Sequence, residues 1–183
     1  MNLLEMEQLF LSRQSCRSFD RERVPDSETL KKIAEMSMLA PSACNSQPWG
    51  LIVTNKKETV KAIAATTHGL GLNKFADDCT AFTVITETIP CRTESAAAKL
   101  TGRDFVGNDL GLMCAHLVIA AEAAGISTCI LGNFNEKKLK ELLDIPEKHK
   151  VCLVVAMGYA KADDVIRTKK RKDVSETCKF ILE

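Results

Sequence analysis

A chain of 183 residues with 45% hydrophobic and 27% charged residues has the balance of one globular domain, large enough to bury roughly 70% of its unfolded surface. Its formal net charge of +1 gives no overall field to recruit nucleic acid or an anionic membrane, so neither is expected as a partner. No unbroken apolar run reaches the ~20 residues of a membrane span, and the N-terminus lacks a basic stretch followed by an apolar one. A cytoplasmic protein is therefore expected.

In chain order, Leu3, Leu4, Leu9, Phe10 and Leu11 predict a short amphipathic helix that ends in a loop around 13–17. Asp26 caps a second helix, with Glu28 in its first turn, Leu30, Ile33, Ala34 and Met38 at helical spacing, and Pro41 as its stop. Residues 49–54 read as a buried strand. Residues 56–66 read as a helix with Val60, Ile63 and Ala64 on one face, broken by His68-Gly69-Leu70-Gly71. A strand over 80–88 precedes a polar surface cover over 89–104. The longest periodic run, 108–124, is apolar around most of its circumference, as a helix packed on several sides would be, and Gly125 caps its end. A short strand over 127–131 and a charged helix from Asn135 to Leu143 follow. The continuous apolar run 151–157 claims a central place in a sheet, and 161–183 form a basic tail ending in a short helix. Four strands and five or six helices, with no repeat or interior linker, give one α+β domain over 1–183.

The eight cysteines, at 16, 44, 79, 91, 114, 129, 152 and 178, include no C-x-x-C pair, which argues against zinc and iron–sulfur sites. Most of them read as buried, reduced, small hydrophobes. His68, His116 and His149 have no metal-ligand spacing, and His116, within the apolar helix, reads as a satisfied core residue. No metal is expected. Gly69 and Gly71 lack the third glycine of a dinucleotide fingerprint, and there is no phosphate-binding P-loop sequence.

Chemistry concentrates in two segments. Ser12-Arg13-Gln14-Ser15-Cys16-Arg17-Ser18-Phe19 sets two guanidiniums beside hydroxyls, and a planar fork of donors suits phosphate oxygens. Ala40-Pro41-Ser42-Ala43-Cys44-Asn45-Ser46-Gln47-Pro48-Trp49 is small and polar up to the only Trp, so its backbone can approach something flat with polar edges. By themselves these segments are also compatible with a solvated basic turn and an ordinary helix-to-strand loop. In this order, however, they resemble the FMN-dependent nitroreductase family, and the likeness extends over nearly the whole chain, strongest at 12–49 and 107–158.

The resemblance implies a nitroreductase-like fold: a central mixed or antiparallel sheet flanked by helices, with a C-terminal arm over 160–183 crossing to the partner of a homodimer. FMN is then held at the subunit interface. Arg13 and Ser15 hold the phosphate, Gln14 between them is a cofactor-binding residue, and Lys169 and Arg171, from the run Lys169-Lys170-Arg171-Lys172, complete the phosphate site. Arg17 reaches the N1/O2 edge, where a cation stabilises negative charge on the reduced ring. Pro41, Ser42, Ala43 and Asn45, with Gln47 behind, line the ring from the opposite subunit; Ala43 stands where relatives often carry a hydroxyl. Ile130, Leu131 and Gly132 form a turn on one face of the ring, with a backbone N–H of Leu131 or Gly132 near N5, and Leu131 replaces the Glu of many relatives. Asn73, with Lys74 beside it, approaches the pyrimidine edge. The activity implied is ping-pong hydride transfer from NAD(P)H through flavin N5 to a nitroaromatic, quinone or enone, with no side-chain acid or base. A flavin reductase and a non-catalytic FMN-binding module stay open beside it. A dehalogenase of the iodotyrosine type is disfavoured because 89–106 contains no Tyr.

Overall fold

The apolar segments Trp49–Thr54 (β1), Ala81–Glu87 (β2), Ser127–Leu131 (β3) and Lys150–Gly158 (β4) pair into one antiparallel sheet in the order β1-β2-β4-β3. They do so in a computed structural model that describes residues 2–183. Strand β4 has partners on both sides, as its continuous apolar run requires, and residues 154–157 are fully buried. Its register against β2 shifts between Ile85 and Thr86, which leaves Cys152 as the extra residue of a bulge.

Among the described residues seven α-helices surround the sheet: α1 Leu3–Ser12, α2 Ser27–Ser37, α3 Lys57–Thr66, α4 Arg92–Thr101, α5 Phe105–Ala123, α6 Glu136–Leu143 and α7 Val174–Thr177. Side-chain alternation in the strands splits the core into two. Phe82, Val84, Val154 and Ala156 face α3 and α6, while Ala81, Ile85, Val155 and Met157 face α2 and α5. Local chemistry sets the helix ends. Asp26 accepts from Thr29 N at 2.8 Å, Asn135 accepts from Lys138 N at 3.0 Å, and Gly125 takes φ +72° to turn the chain out of α5 into β3.

Four expectations change. The expected polar cover of 89–104 contains α4, built from the helix formers Ala96, Ala97 and Ala98 and closed by Gly102 at φ 66°. Seven helices therefore stand against five or six expected. His116 is exposed, with its Nδ1 2.9 Å from Leu112 O; it lies on an open face of α5 with Gly111, Leu112 and Ala115. Among the described residues α5 is the one helix long and apolar enough to cross a membrane, but it lies on the sheet against α2. The cysteines are all free, yet only Cys16, Cys79, Cys114 and Cys129 are buried; Cys91 and Cys152 are half-buried, and Cys44 and Cys178 are exposed.

The loop expected around 13–17 is instead pinned to the sheet edge. Ser15 pairs in parallel with Thr128, Cys16 N donates to Thr128 O at 2.9 Å, and Phe19 pairs with Ala160. The Phe19 ring closes over Gly158, where an added Cβ would come within 3.1 Å of Phe19 Cδ1 and 3.0 Å of Thr80 Oγ1. The tail beyond Lys161 is mostly exposed and carries Phe180, Ile181 and Leu182 at 65%, 84% and 82% exposure.

Candidate functional site

The Ser15–Thr128 bridge fixes the 13–17 segment beside β3, and Gln14 shares the cavity that its neighbours line. Cys16 turns inward and is buried, while Arg13, Ser15 and Arg17 line a cavity of about 600 Å³. The opposite wall is residues 167–171 of the tail, including Arg167, Lys169 and Arg171. Gln14 ties the two walls together: its Nε2 donates to Val165 O at 3.2 Å and Asp164 Oδ2 at 3.4 Å, and its Oε1 accepts from Arg167 N at 3.0 Å. Arg167 Nη2 donates to Ser15 O at 2.7 Å and Lys169 Nζ to Arg13 O. Arg167 lines this cavity as well, and the sequence reading missed it. Its clue was charge, since it stands two residues before Lys169 in the same basic tail.

Positive charge dominates this cavity. Asp164 pairs with Arg167 at 3.5 Å, while Arg13, Arg17, Lys169 and Arg171 have no carboxylate at ion-pair distance among the described residues. Loss of water and then the repulsion of Arg13 and Arg171 hold the Lys169 ammonium below its ordinary pKa. Such a cluster suits an anion with several oxygens. A second cavity of about 640 Å³ shares Arg13, Lys169 and Arg171 and is otherwise largely apolar, lined by Phe10, Leu11, Cys114, Val118, Ile119, Ile130 and Leu153. Arg17 lies 5.9 Å above the Phe75 ring.

The end of β3 places Ile130 in that second cavity, whereas Leu131 is buried and Gly132, in the turn that follows, is exposed, both outside the two cavities. Asn73, at φ 56°, binds this turn, donating to Thr67 O at 3.2 Å and Asn133 O at 3.4 Å. Asn133 Nδ2 donates in turn to Gly69 O at 3.0 Å. Asn73 and residues 131–133 are thus brought together, with the Asn73 amide engaged by backbone and Lys74 exposed.

Residues 41–47 line neither cavity of the same chain. This loop holds Cys44, Asn45 and Gln47 at φ 52°, 50° and 49°. Left-handed backbone costs non-glycine residues ~1 kcal/mol or more each, least for Asn. Ser42 Oγ accepts from Gln47 N at 3.0 Å, and the Gln47 amide donates to Asn45 Oδ1 at 3.1 Å. From outside, Ser46 Oγ accepts from Cys91 N at 2.8 Å, and Ala43 N donates to the buried Asp109 carboxylate at 3.0 and 3.2 Å. Asp109 too escaped the sequence reading; its one clue is an acid within an apolar helix. Beside Ser46, the Glu94 N–H and then the Ser46 hydroxyl hold the Cys91 thiol below its ordinary pKa. Both carboxylate oxygens of Glu94 are buried without a hydrogen-bond donor among the described residues.

The model of the Nitroreductase family matches this chain over residues 11–74 and 62–159. A protein of Archaeoglobus fulgidus assigned as an NADH dehydrogenase/NAD(P)H nitroreductase is 32% identical over 163 residues, 86% of either chain. Among solved structures, a nitroreductase-like protein from Streptococcus mutans matches with a TM-score of 0.81 at 20% identity, covering 99% of this chain and 100% of that one. An FMN-dependent nitroreductase from Clostridium difficile matches with a TM-score of 0.73 at 19% identity, covering 94% and 96%.

Proposed function

The chain belongs to the nitroreductase family, and from that premise we propose that it is an FMN-dependent NAD(P)H oxidoreductase whose acceptor is a nitroaromatic, quinone or enone. The observation that carries this reading is the cavity between residues 13–17 and 167–171. It presents more cations than the chain neutralises, beside an apolar cavity sharing three of them. A phosphate joined to a flat, largely apolar ring system answers both halves. Arg13, Ser15, Lys169 and Arg171, joined by Arg167, hold the phosphate, and Gln14 holds the tail that supplies three of those cations. Arg17 provides positive charge for the N1/O2 edge. Ile130, in the apolar cavity, borders the ring, and Leu131, Gly132 and Asn73 approach its edge from outside the two cavities.

FMN, when bound, supplies hydride acceptance at N5 and return of two electrons to the acceptor. The protein excludes water and orients both partners, which requires no side-chain acid or base. The functional unit is a homodimer in which 41–47 come from the opposite subunit. Two observations favour this. The loop lies apart from the cations of its own chain, and α1, the two residues after α2 and the tail expose Leu3, Leu4, Phe10, Met38, Leu39, Ile181 and Leu182. A cytoplasmic location belongs to the same proposal.

The test is NAD(P)H oxidation by the purified protein with an added quinone or nitroaromatic, at a rate proportional to bound flavin. Protein that keeps FMN but oxidises neither nicotinamide is a binding module. Colourless protein that consumes NAD(P)H only with free flavin is a flavin reductase.

A further inference from the structure

Three non-glycine residues in left-handed backbone persist only where their surroundings over-determine them. In the 41–47 loop most hydrogen bonds run within the loop, from Gln47 to Ser42 and Asn45, and so close it without fixing it to the fold. Besides the Trp49 N–H that Gln47 O accepts at 2.8 Å where β1 begins, two others reach outside it. Cys91 N donates to the Ser46 hydroxyl at 2.8 Å. The second bond is charge-assisted, from Ala43 N to both oxygens of Asp109 at 3.0 and 3.2 Å.

Asp109 is 3% exposed, and Ala43 N is the one hydrogen-bond donor it has among the described residues. Burying a carboxylate on so few donors is costly, and a hydrophobic residue would suit its neighbours Leu110 and Met113 better. Asp109 also stands on α5, the helix that lines the apolar cavity with Cys114 and Val118. One rigid element thus carries a cavity wall and the anchor of the loop.

We infer that Asp109 is a positioning residue: through the Ala43 N–H it holds the 41–47 loop in the shape that meets the flavin. This rests on the reading that the loop lines the cofactor of the opposite subunit. Asp109 itself touches neither flavin nor acceptor.

The test uses the full-length dimer and three variants. Asp109→Ala leaves the Ala43 N–H without its acceptor, and Asp109→Asn keeps an oxygen to accept it. Ala43→Pro removes the N–H and leaves the carboxylate; the extended Ser42, at φ −142° and ψ 154°, accommodates a following proline. Amide exchange over 44–47, FMN dissociation constant and visible circular dichroism of the bound flavin are read together. Asp109→Ala and Ala43→Pro each speed exchange and weaken FMN about tenfold, equivalent to ~1.4 kcal/mol, with altered dichroism. Combining them costs little more than either alone, because both remove one contact. Asp109→Asn recovers most of the loss.

Asn acting like Ala, or losses that multiply in the double variant, would overturn the inference. Faster exchange with unchanged FMN affinity and dichroism would overturn it together with the loop reading, while leaving the phosphate cavity, tested by Arg13→Ala, intact. Should Asp109→Ala fail to fold, Asp109→Asn and Ala43→Pro decide the matter by the same criteria.

Discussion

Lys169 sits where its own charge is unwelcome, desolvated and facing Arg13 and Arg171, so an anion in that cavity relieves repulsion as well as making contacts. Hydrogen bonds to charged groups contribute about 1.5–3 kcal/mol each. Arg13→Ala with Arg171→Ala is expected to weaken FMN by roughly two to four orders of magnitude, giving folded, colourless protein. The melting temperature of the FMN-free form should hold or rise, since those cations have no carboxylate partner to lose; full flavin occupancy in the double variant would remove the phosphate assignment. Arg17→Gln should lower the two-electron potential of bound FMN by ~30 mV, equivalent to ~1.4 kcal/mol, because the reduced ring loses a nearby cation. Equal potentials would reassign Arg17. Cys91 should show a thiolate-dependent alkylation rate whose midpoint lies below that of the same thiol in the unfolded chain. Cys16 and Cys114, each pushed up to about 11 by burial, should stay unmodified in the folded protein. Arg13, Ser15 and Arg17 were legible in sequence because their guanidiniums and hydroxyl cluster within five residues. Arg167 and Asp109 were not, because each acts through a partner more than sixty residues away, at Ser15 and Ala43 respectively.

Helix α5 shows how one element serves two kinds of burial. Leu117 is fully buried against the sheet, and Leu117→Ala should cost about 2–5 kcal/mol of unfolding free energy, measured by denaturant titration. Leu112, on the open face and 44% exposed, should instead weaken dimer association when changed to Ala, with little effect on unfolding within each subunit. Equal losses of stability would place both residues in one core. The periodicity of 108–124 was readable because it is long and apolar. Helix α4 was not, since its interior is alanine and its buried side chain is Glu94, so no apolar stripe marks it. The edge pairing of Ser15 with Thr128 joins segments far apart in sequence and leaves no local trace. The run 151–157, by contrast, gave both the strand and its interior position, because burial on two faces writes itself as an unbroken apolar stretch.

The whole molecule carries its cations and its 41–47 loop in different places, and exposes apolar side chains on α1, α2 and the tail. Each Å² of apolar surface left in water forgoes ~25 cal/mol, and an obligate interface above ~2,000 Å² would recover much of this. Arg13→Ala subunits mixed with Asn45→Trp subunits should therefore regain one working site per heterodimer, although each homodimer is inactive. Heterodimers that form without regaining activity would place both motifs on one chain's flavin. The central claim, that this fold holds FMN and reduces it with a nicotinamide, is tested most directly by the visible spectrum of purified protein during anaerobic titration with NADH or NADPH. About one FMN per chain, bleached stoichiometrically by at least one of the two, is the predicted result. Protein that takes up no FMN, or bound flavin that neither nicotinamide bleaches, would contradict it.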